Sequence, residues 1–220
     1  MVHMVTVCAF AWVPPFAQGL VRDLRVRWAL EEAGEPYRVR LLGPGENRTD
    51  AYRAVQPFGQ VPAVEGTDGA LFESGAIVLD VAERSPVLMP DDAYGRARAR
   101  TWLFAALNTV EPPIQQLGEI DFFHPGEAWT EQRRPQAVEA IRGRLAPLAE
   151  RLAERDYLED RFTVGDLMMT AVLRMLRHTD LLTGMPALDA YRLRCEDRPA
   201  FRRALDAHMA PFAAHAPAGA

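Results

Sequence analysis

The spacing of apolar residues changes character once along the chain, and that change governs what it can fold into. Before about residue 84, strand-like and helix-like segments alternate; beyond Asp92 only helical spacing occurs. Val5 to Phe10 reads as a short, largely buried strand, broken by Trp12-Val13-Pro14-Pro15. A helix is expected from Ala17 to Ala33, with Leu20, Leu24 and Trp28 at four-residue spacing and Gly34 as its stop. Tyr37 to Leu42 alternates apolar residues with arginines, as a half-exposed strand does, and Thr49 to Val55 reads as a short helix. Val61 to Glu65 and Ala70 to Phe72, joined by Thr67-Asp68-Gly69, make a hairpin; Ser74 to Glu83 is a helix. The order is therefore β-α-β-α-β-β-α.

Ser85 to Asp92, with Pro86 and Pro90, reads as a linker. Four or five helices follow, near 93–116, 130–154, 163–178, 186–195 and 199–209, with Pro112-Pro113 set to kink the first. Thr163-Val164-Gly165-Asp166 places a hydroxyl at the cap and an acid three residues on, a variant of the capping box. The expected fold class is α/β plus all-α, with one domain over 1–84 and an all-helical domain over 92–220.

Composition removes several functions. The 220 residues suit two small domains. A net charge of −5 gives no basic excess for nucleic acid. All 25 basic side chains are arginine, which a GC-rich genome explains. The absence of lysine still excludes a Schiff-base or phosphate-loop lysine. Cys8 and Cys195 form no C-x-x-C pair, which disfavours a disulfide oxidoreductase and suits a reducing cytoplasm. The five histidines lack metal-ligand spacing, so no metal is expected. No leader and no apolar run of membrane-spanning length is read, so a soluble, cytoplasmic chain without membrane partners is expected.

Four segments carry more. Pro57-Phe58-Gly59-Gln60-Val61-Pro62-Ala63 is followed, twelve residues beyond Val61, by Glu73-Ser74-Gly75-Ala76-Ile77. Upstream stands Arg25-Val26-Arg27-Trp28-Ala29-Leu30-Glu31-Glu32-Ala33-Gly34, and downstream Phe162-Thr163-Val164-Gly165-Asp166. In this order and spacing the segments resemble the cytosolic glutathione transferases, over nearly the whole chain. The resemblance implies a thioredoxin-like first domain with a four-stranded mixed sheet, a helical second domain, a cis Val61-Pro62 bond, glutathione as co-substrate and a homodimer. Phe58 stands four residues before the proline, at the spacing of an aromatic plug found in some classes; the alternative is a turn residue covering its own domain.

The chemistry follows from the residues too. A cis proline turns the chain sharply and leaves the N–H and C=O of Val61 to pair with an extended peptide such as glutathione; a trans proline at a strand edge is the alternative. Ser74 stands where a helix starts. Its hydroxyl is either an ordinary cap or, with the following N–H groups, the holder of a carboxylate. The γ-glutamyl end of glutathione offers a carboxylate for Ser74 and an ammonium for Glu73. Gln60 is placed to donate to the glycyl end. The glutathione-binding set is thus Gln60, Val61, Pro62, Glu73 and Ser74.

One departure stands out. The family places a Tyr, Ser or Cys near the start of the first helix to stabilise or bond the glutathione sulfur. Aligning through Arg25-Val26-Arg27 puts Leu20 there, and aligning through Pro15-Phe16-Ala17 puts Pro14 there; no Tyr, Ser, Thr or Cys occurs between Ala9 and Pro36. Cys8 falls inside the first strand and reads as a small buried hydrophobe. The remaining donors are backbone N–H groups of the 12–23 connection, Gln18, Asn108 and Arg22. Arg22 is assigned the catalytic role, because a permanent positive charge favours a thiolate; a surface arginine paired with Asp23 is the alternative. Trp12, Phe104 and Asn108, with Phe122-Phe123, are candidates for an apolar co-substrate pocket, core packing being the alternative for the aromatics. The function expected is conjugation of glutathione to a small electrophile, or related isomerase or peroxidase chemistry. The rival is a non-catalytic binding module on the same fold.

Overall fold

The computed structural model describes residues 4–217. They gather into two compact units: the chain through Met89 together with the stretch from Arg198 onward, and the chain from Pro90 to Asp197.

The first unit runs β1 (Val5–Phe10), α1 (Asp23–Ala33), β2 (Tyr37–Leu42), α2 (Asp50–Arg53), β3 (Ala63–Gly66), β4 (Gly69–Phe72) and α3 (Ser74–Glu83). The sheet order is β2-β1-β3-β4. β1 is parallel to β2 and antiparallel to β3, and β3 is antiparallel to β4. This is the four-stranded mixed sheet of a thioredoxin-like domain. Val5, Val7, Cys8 and Ala9 are all buried, as a central strand covered on both faces requires.

Two elements start two or more residues later than the sequence reading placed them. α1 starts at Asp23 rather than Ala17, and the segment before it runs through turns closed by Ala17 N–H to Pro14 O (2.9 Å) and Leu20 N–H to Ala17 O (2.9 Å). Gly19, at φ 78°, lies in the left-handed region and cannot continue a right-handed helix. β3 begins at Ala63 rather than Val61, because the ladder starts only beyond the proline.

The second unit holds α4 (Ala93–Ala105), α5 (Glu111–Gly118), α6 (Ala128–Leu152), α7 (Val164–Leu173) and α8 (Pro186–Glu196), and among its described residues there is no strand. The expected kink is a widened turn. Pro112 and Pro113 have no N–H, and over Ala106–Val110 the helix opens so that the N–H of Glu111 reaches the carbonyl of Ala106. A second widened turn, Glu119–Phe123, follows α5. α7 stops at Leu173, short of the expected 178, and a tighter turn spans Arg174–Leu176. Gly165 lets α7 press against α4, since a Cβ there would stand 2.5 Å from the Cβ of Trp102.

The last helix, α9 (Pro199–Ala214), falls within the 92–220 region of the sequence reading, yet its contacts group it with the first unit. Phe201 meets Trp28 edge-on at 4.8 Å, and Glu32 accepts from both Nε and Nη2 of Arg198 at 2.6 and 2.7 Å. No described helix is long and apolar enough to cross a membrane.

Candidate functional site

The strand register brings the marked residues of the first unit to one place. Phe10 pairs with Leu42, Cys8 with Ala63, and Ala63 with Phe72. The ends of β1, β2 and β4 and the start of β3 therefore share one end of the sheet. From that end leave the 11–22 connection, the approach through Gln60-Val61-Pro62, and the step Glu73-Ser74 into α3. Val61-Pro62 and Glu73-Ser74 flank the terminal pair Ala63↔Phe72 and so lie side by side.

The Val61-Pro62 bond is cis, and both residues are buried. The segment before it is pinned from below. Asn47 Nδ2 donates to Gly59 O (2.6 Å), the Tyr52 hydroxyl to Gln60 O (2.7 Å), and Gln60 N–H to Gln56 Oε1 (3.1 Å). Tyr52 and Gln56 are buried. Gly59, at φ 66°, is needed here, because a Cβ would lie 2.8 Å from Asn47 O. Sequence reasoning missed Asn47, Tyr52 and Gln56. The available signal was a hydroxyl and an amide four residues apart around a very short helix. The Gln60 side chain is exposed at the surface of this end.

Glu73 is the one described non-glycine residue with positive φ, at φ 69° and ψ 115°. Such a conformation costs about 1–3 kcal/mol and clusters at ligand sites. Glu73 is the N-cap of α3 yet makes no capping bond, and the first turn of the helix contains no acid. Ser74 is the first helical residue and only 5% exposed. The amides at this terminus thus face the same end of the sheet as Val61 without a side-chain acceptor from the cap, an arrangement that suits an anion.

In the 11–22 connection Trp12 is half-buried, and Gln18 Nε2 donates to Val13 O (3.0 Å). Arg22 is the half-buried N-cap residue of α1. Asp23, which follows it, is buried and pairs with Arg27 Nε (2.8 Å) and His208 Nδ1 (3.1 Å). The start of α1 therefore already carries an internal carboxylate. Cys8 is fully buried, with its sulfur 3.4 Å from Glu65 Oε1. Burial, together with that carboxylate, pushes its thiol up to about 12, so it stays protonated and unreactive.

The helical unit holds the other candidates. Phe104 (50% exposed) and Asn108 stand four residues apart on one exposed side of α4 and the widened turn after it. Phe122 packs against the ring of His178 at 4.6 Å, while Phe123 is exposed.

Two family models match the chain: the glutathione S-transferase N-terminal domain over residues 24–84 and the C-terminal domain over residues 114–199. Glutathione S-transferase F9 of Arabidopsis thaliana is 33% identical over 159 residues, covering 70% of this chain and 71% of that protein. A maleylpyruvate isomerase from Ralstonia sp. is 29% identical over 196 residues, covering 83% and 91%. Among solved structures, a glutathione transferase from Burkholderia graminis, with two glutathione molecules bound per subunit, superposes with a TM-score of 0.80 at 26% identity, over 92% of this chain and 88% of that one.

Proposed function

Because the chain belongs to the glutathione S-transferase family, we propose that it is an enzyme that binds glutathione at the shared end of the sheet and uses its thiolate on a small, apolar electrophile. The observation that carries this reading is the uncapped start of α3, beneath a strained Glu73, beside Val61-Pro62. A peptide laid along Val61 pairs with its backbone as an added strand. The γ-glutamyl carboxylate then meets Ser74 and the first amides of α3, the ammonium meets Glu73, and the glycyl end meets Gln60.

The thiolate attacks the electrophilic carbon, an S–C bond forms, and the displaced electron pair leaves with a leaving group or takes a proton. Addition to a conjugated double bond, rotation, and expulsion of the thiolate gives isomerisation at the same site. The Ralstonia relative favours including that chemistry; peroxide reduction would draw on the same thiolate. Trp12 is proposed as an electrophile contact in the first unit, and Phe104 and Asn108 keep that assignment within theirs.

Arg22 is proposed to hold the sulfur as thiolate, through a permanent charge at the start of α1. The test is thiolate absorbance against pH in the glutathione complex. The wild type should show a thiol pKa below that of free glutathione, and Arg22→Ala should bind glutathione yet move the pKa back up. An unmoved pKa in the variant removes Arg22 from the role. No lowering in the wild type favours the non-catalytic reading.

A homodimer is part of this proposal. Phe58 is 68% exposed and meets Phe72 edge-on at 6.1 Å, an exposed aromatic pair that a second copy would cover. Light scattering at micromolar concentration decides it, and a monomer rejects it.

A further inference from the structure

α1 begins on a residue that cannot cap it. Its N-cap is Arg22, in helical geometry (φ −65°, ψ −14°) and without a side-chain capping bond. A guanidinium only donates, so it offers no acceptor to a helix amide. Tight turns lead in, with Leu24 N–H to Val21 O (3.0 Å) and Arg25 N–H to Arg22 O (3.1 Å). The anchor of this turn comes from α9. Asp23, the first helical residue, is 1% exposed, and its Oδ2 accepts from Arg27 Nε (2.8 Å) and from His208 Nδ1 (3.1 Å). Arg27 Nη1 also donates to Ala207 O (3.1 Å). α9 therefore lies antiparallel along α1. Arg198 and Arg203 hold Glu32 and Glu31 at its end, while Ala207 and His208 hold Arg27 and Asp23 at its start.

Stability alone does not account for a histidine here. His208 is buried, its ring meets Phe212 edge-on at 5.1 Å, and its Nε2 has no hydrogen-bond partner among the described residues. An apolar side chain would fill the space without an unpaired nitrogen. Buried ion pairs add little net stability over apolar packing, and their best-attested use is to fix one arrangement. We infer that His208 is a positioning residue for the proposed thiolate: through Asp23 it fixes the turn of α1 that carries Arg22, and so where Arg22 and the first amides of α1 stand against the sulfur. The inference rests on the reading that the glutathione sulfur lies at the start of α1.

Thiolate absorbance against pH in the glutathione complex of the full chain, with calorimetric titration of glutathione, tests it. His208→Leu removes the donor and keeps a buried apolar side chain, whereas His208→Asn places an amide N–H near Nδ1. The leucine variant should bind glutathione within about twofold of the wild type, yet raise the bound thiol's pKa and lower its thiolate fraction at neutral pH about threefold or more. The asparagine variant should keep the wild-type thiol pKa. Phe212→Leu, which loosens α9 beside the same ring without touching Asp23, should keep it too. If the leucine variant does not fold, His208→Gln, whose amide lies at the Nε2 end, takes its place with the same expectation. A lowered thiol pKa in the wild type that the donor deletion leaves in place overturns this inference and spares the proposed function. Equal upward shifts in the leucine and asparagine variants, or in Phe212→Leu, assign the effect to the packing of α9 and overturn it as well. A wild type with no lowered thiol pKa overturns the reading on which the inference rests, and the inference with it.

Discussion

The N-termini of α3 and α7 use the same kinds of residue, a hydroxyl and an acid, and finish in opposite ways. At α7 the Thr163 hydroxyl accepts from Gly165 N–H (3.2 Å), and Asp166 accepts from Thr163 N–H (2.9 Å), Leu158 N–H (2.8 Å) and the Tyr191 hydroxyl (3.0 Å). Everything there is buried. Burial raises the pKa of Asp166, while these three donors and the Thr163 hydroxyl, which donates to Asp166 Oδ2 at 3.1 Å, pull the other way. At α3 the acid stands at the cap itself, in a left-handed conformation, and bonds to no helix amide. One terminus is closed by its own chain and serves stability. The other is left open at a strained residue, which makes sense where a ligand completes it.

Asp166→Ala tests the closed terminus and should have the largest effect. It leaves buried donors on Leu158, Thr163 and Tyr191 without their acceptor. Loss of about 3–4 kcal/mol in stability is expected, read from urea unfolding. Glutathione affinity in the folded fraction should not change. A loss under about 1 kcal/mol would mean that the network is not what holds the start of α7.

The paired hydroxyl deletions sharpen the contrast. Thr163→Ala should lower stability by about 1 kcal/mol, the usual effect of losing a cap. Ser74→Ala should alter stability by less than about 0.5 kcal/mol but weaken glutathione binding by about 1–2 kcal/mol, because no side-chain capping bond is made at the start of its helix. Calorimetry and melting on both variants decide the matter. Equal stability losses would make α3 an ordinary helix start, and wild-type affinity in Ser74→Ala would remove Ser74 from the site.

The closed terminus was legible in the sequence, because a capping box is local: cap and acid are three residues apart. The bounds of α3 and the element order β-α-β-α-β-β-α were legible for the same reason, since periodicity and turn residues act over a few positions. What escaped depends on distant partners. α1 starts late because Gly19 breaks the helix and because Asp23 is buried against His208, 185 residues away. α9 joins α1 through Arg198–Glu32 and Arg203–Glu31, pairs that no local pattern announces. Motif spacing named Gln60, Val61, Pro62, Glu73 and Ser74 as the candidate set, and the strand register gathers them at one end of the sheet. Tyr52 and Gln56 were missed because their role is to hold another segment's backbone rather than to meet a ligand. The positive φ of Glu73 was invisible too, since glutamate carries no preference for that region.

The last prediction separates strain from charge at Glu73. A glycine has no Cβ and adopts φ 69° freely, so Glu73→Gly removes the strain. It also widens the unfolded ensemble, which offsets part of the gain. The net should be a stabilisation of about 0.5 kcal/mol, small but opposite in sign to glycine substitutions inside a helix. The same change deletes the carboxylate proposed for the ammonium of glutathione and should weaken binding by about 1 kcal/mol. Glu73→Gln is the control, because it keeps the Cβ and the strain but loses the charge; its stability should match the wild type while its affinity falls with that of the glycine variant. A glycine variant that melts lower than wild type would mean that the glutamate supports the fold at this position. The open terminus of α3 would then be a structural feature like that of α7, and the strain would not be evidence for a site.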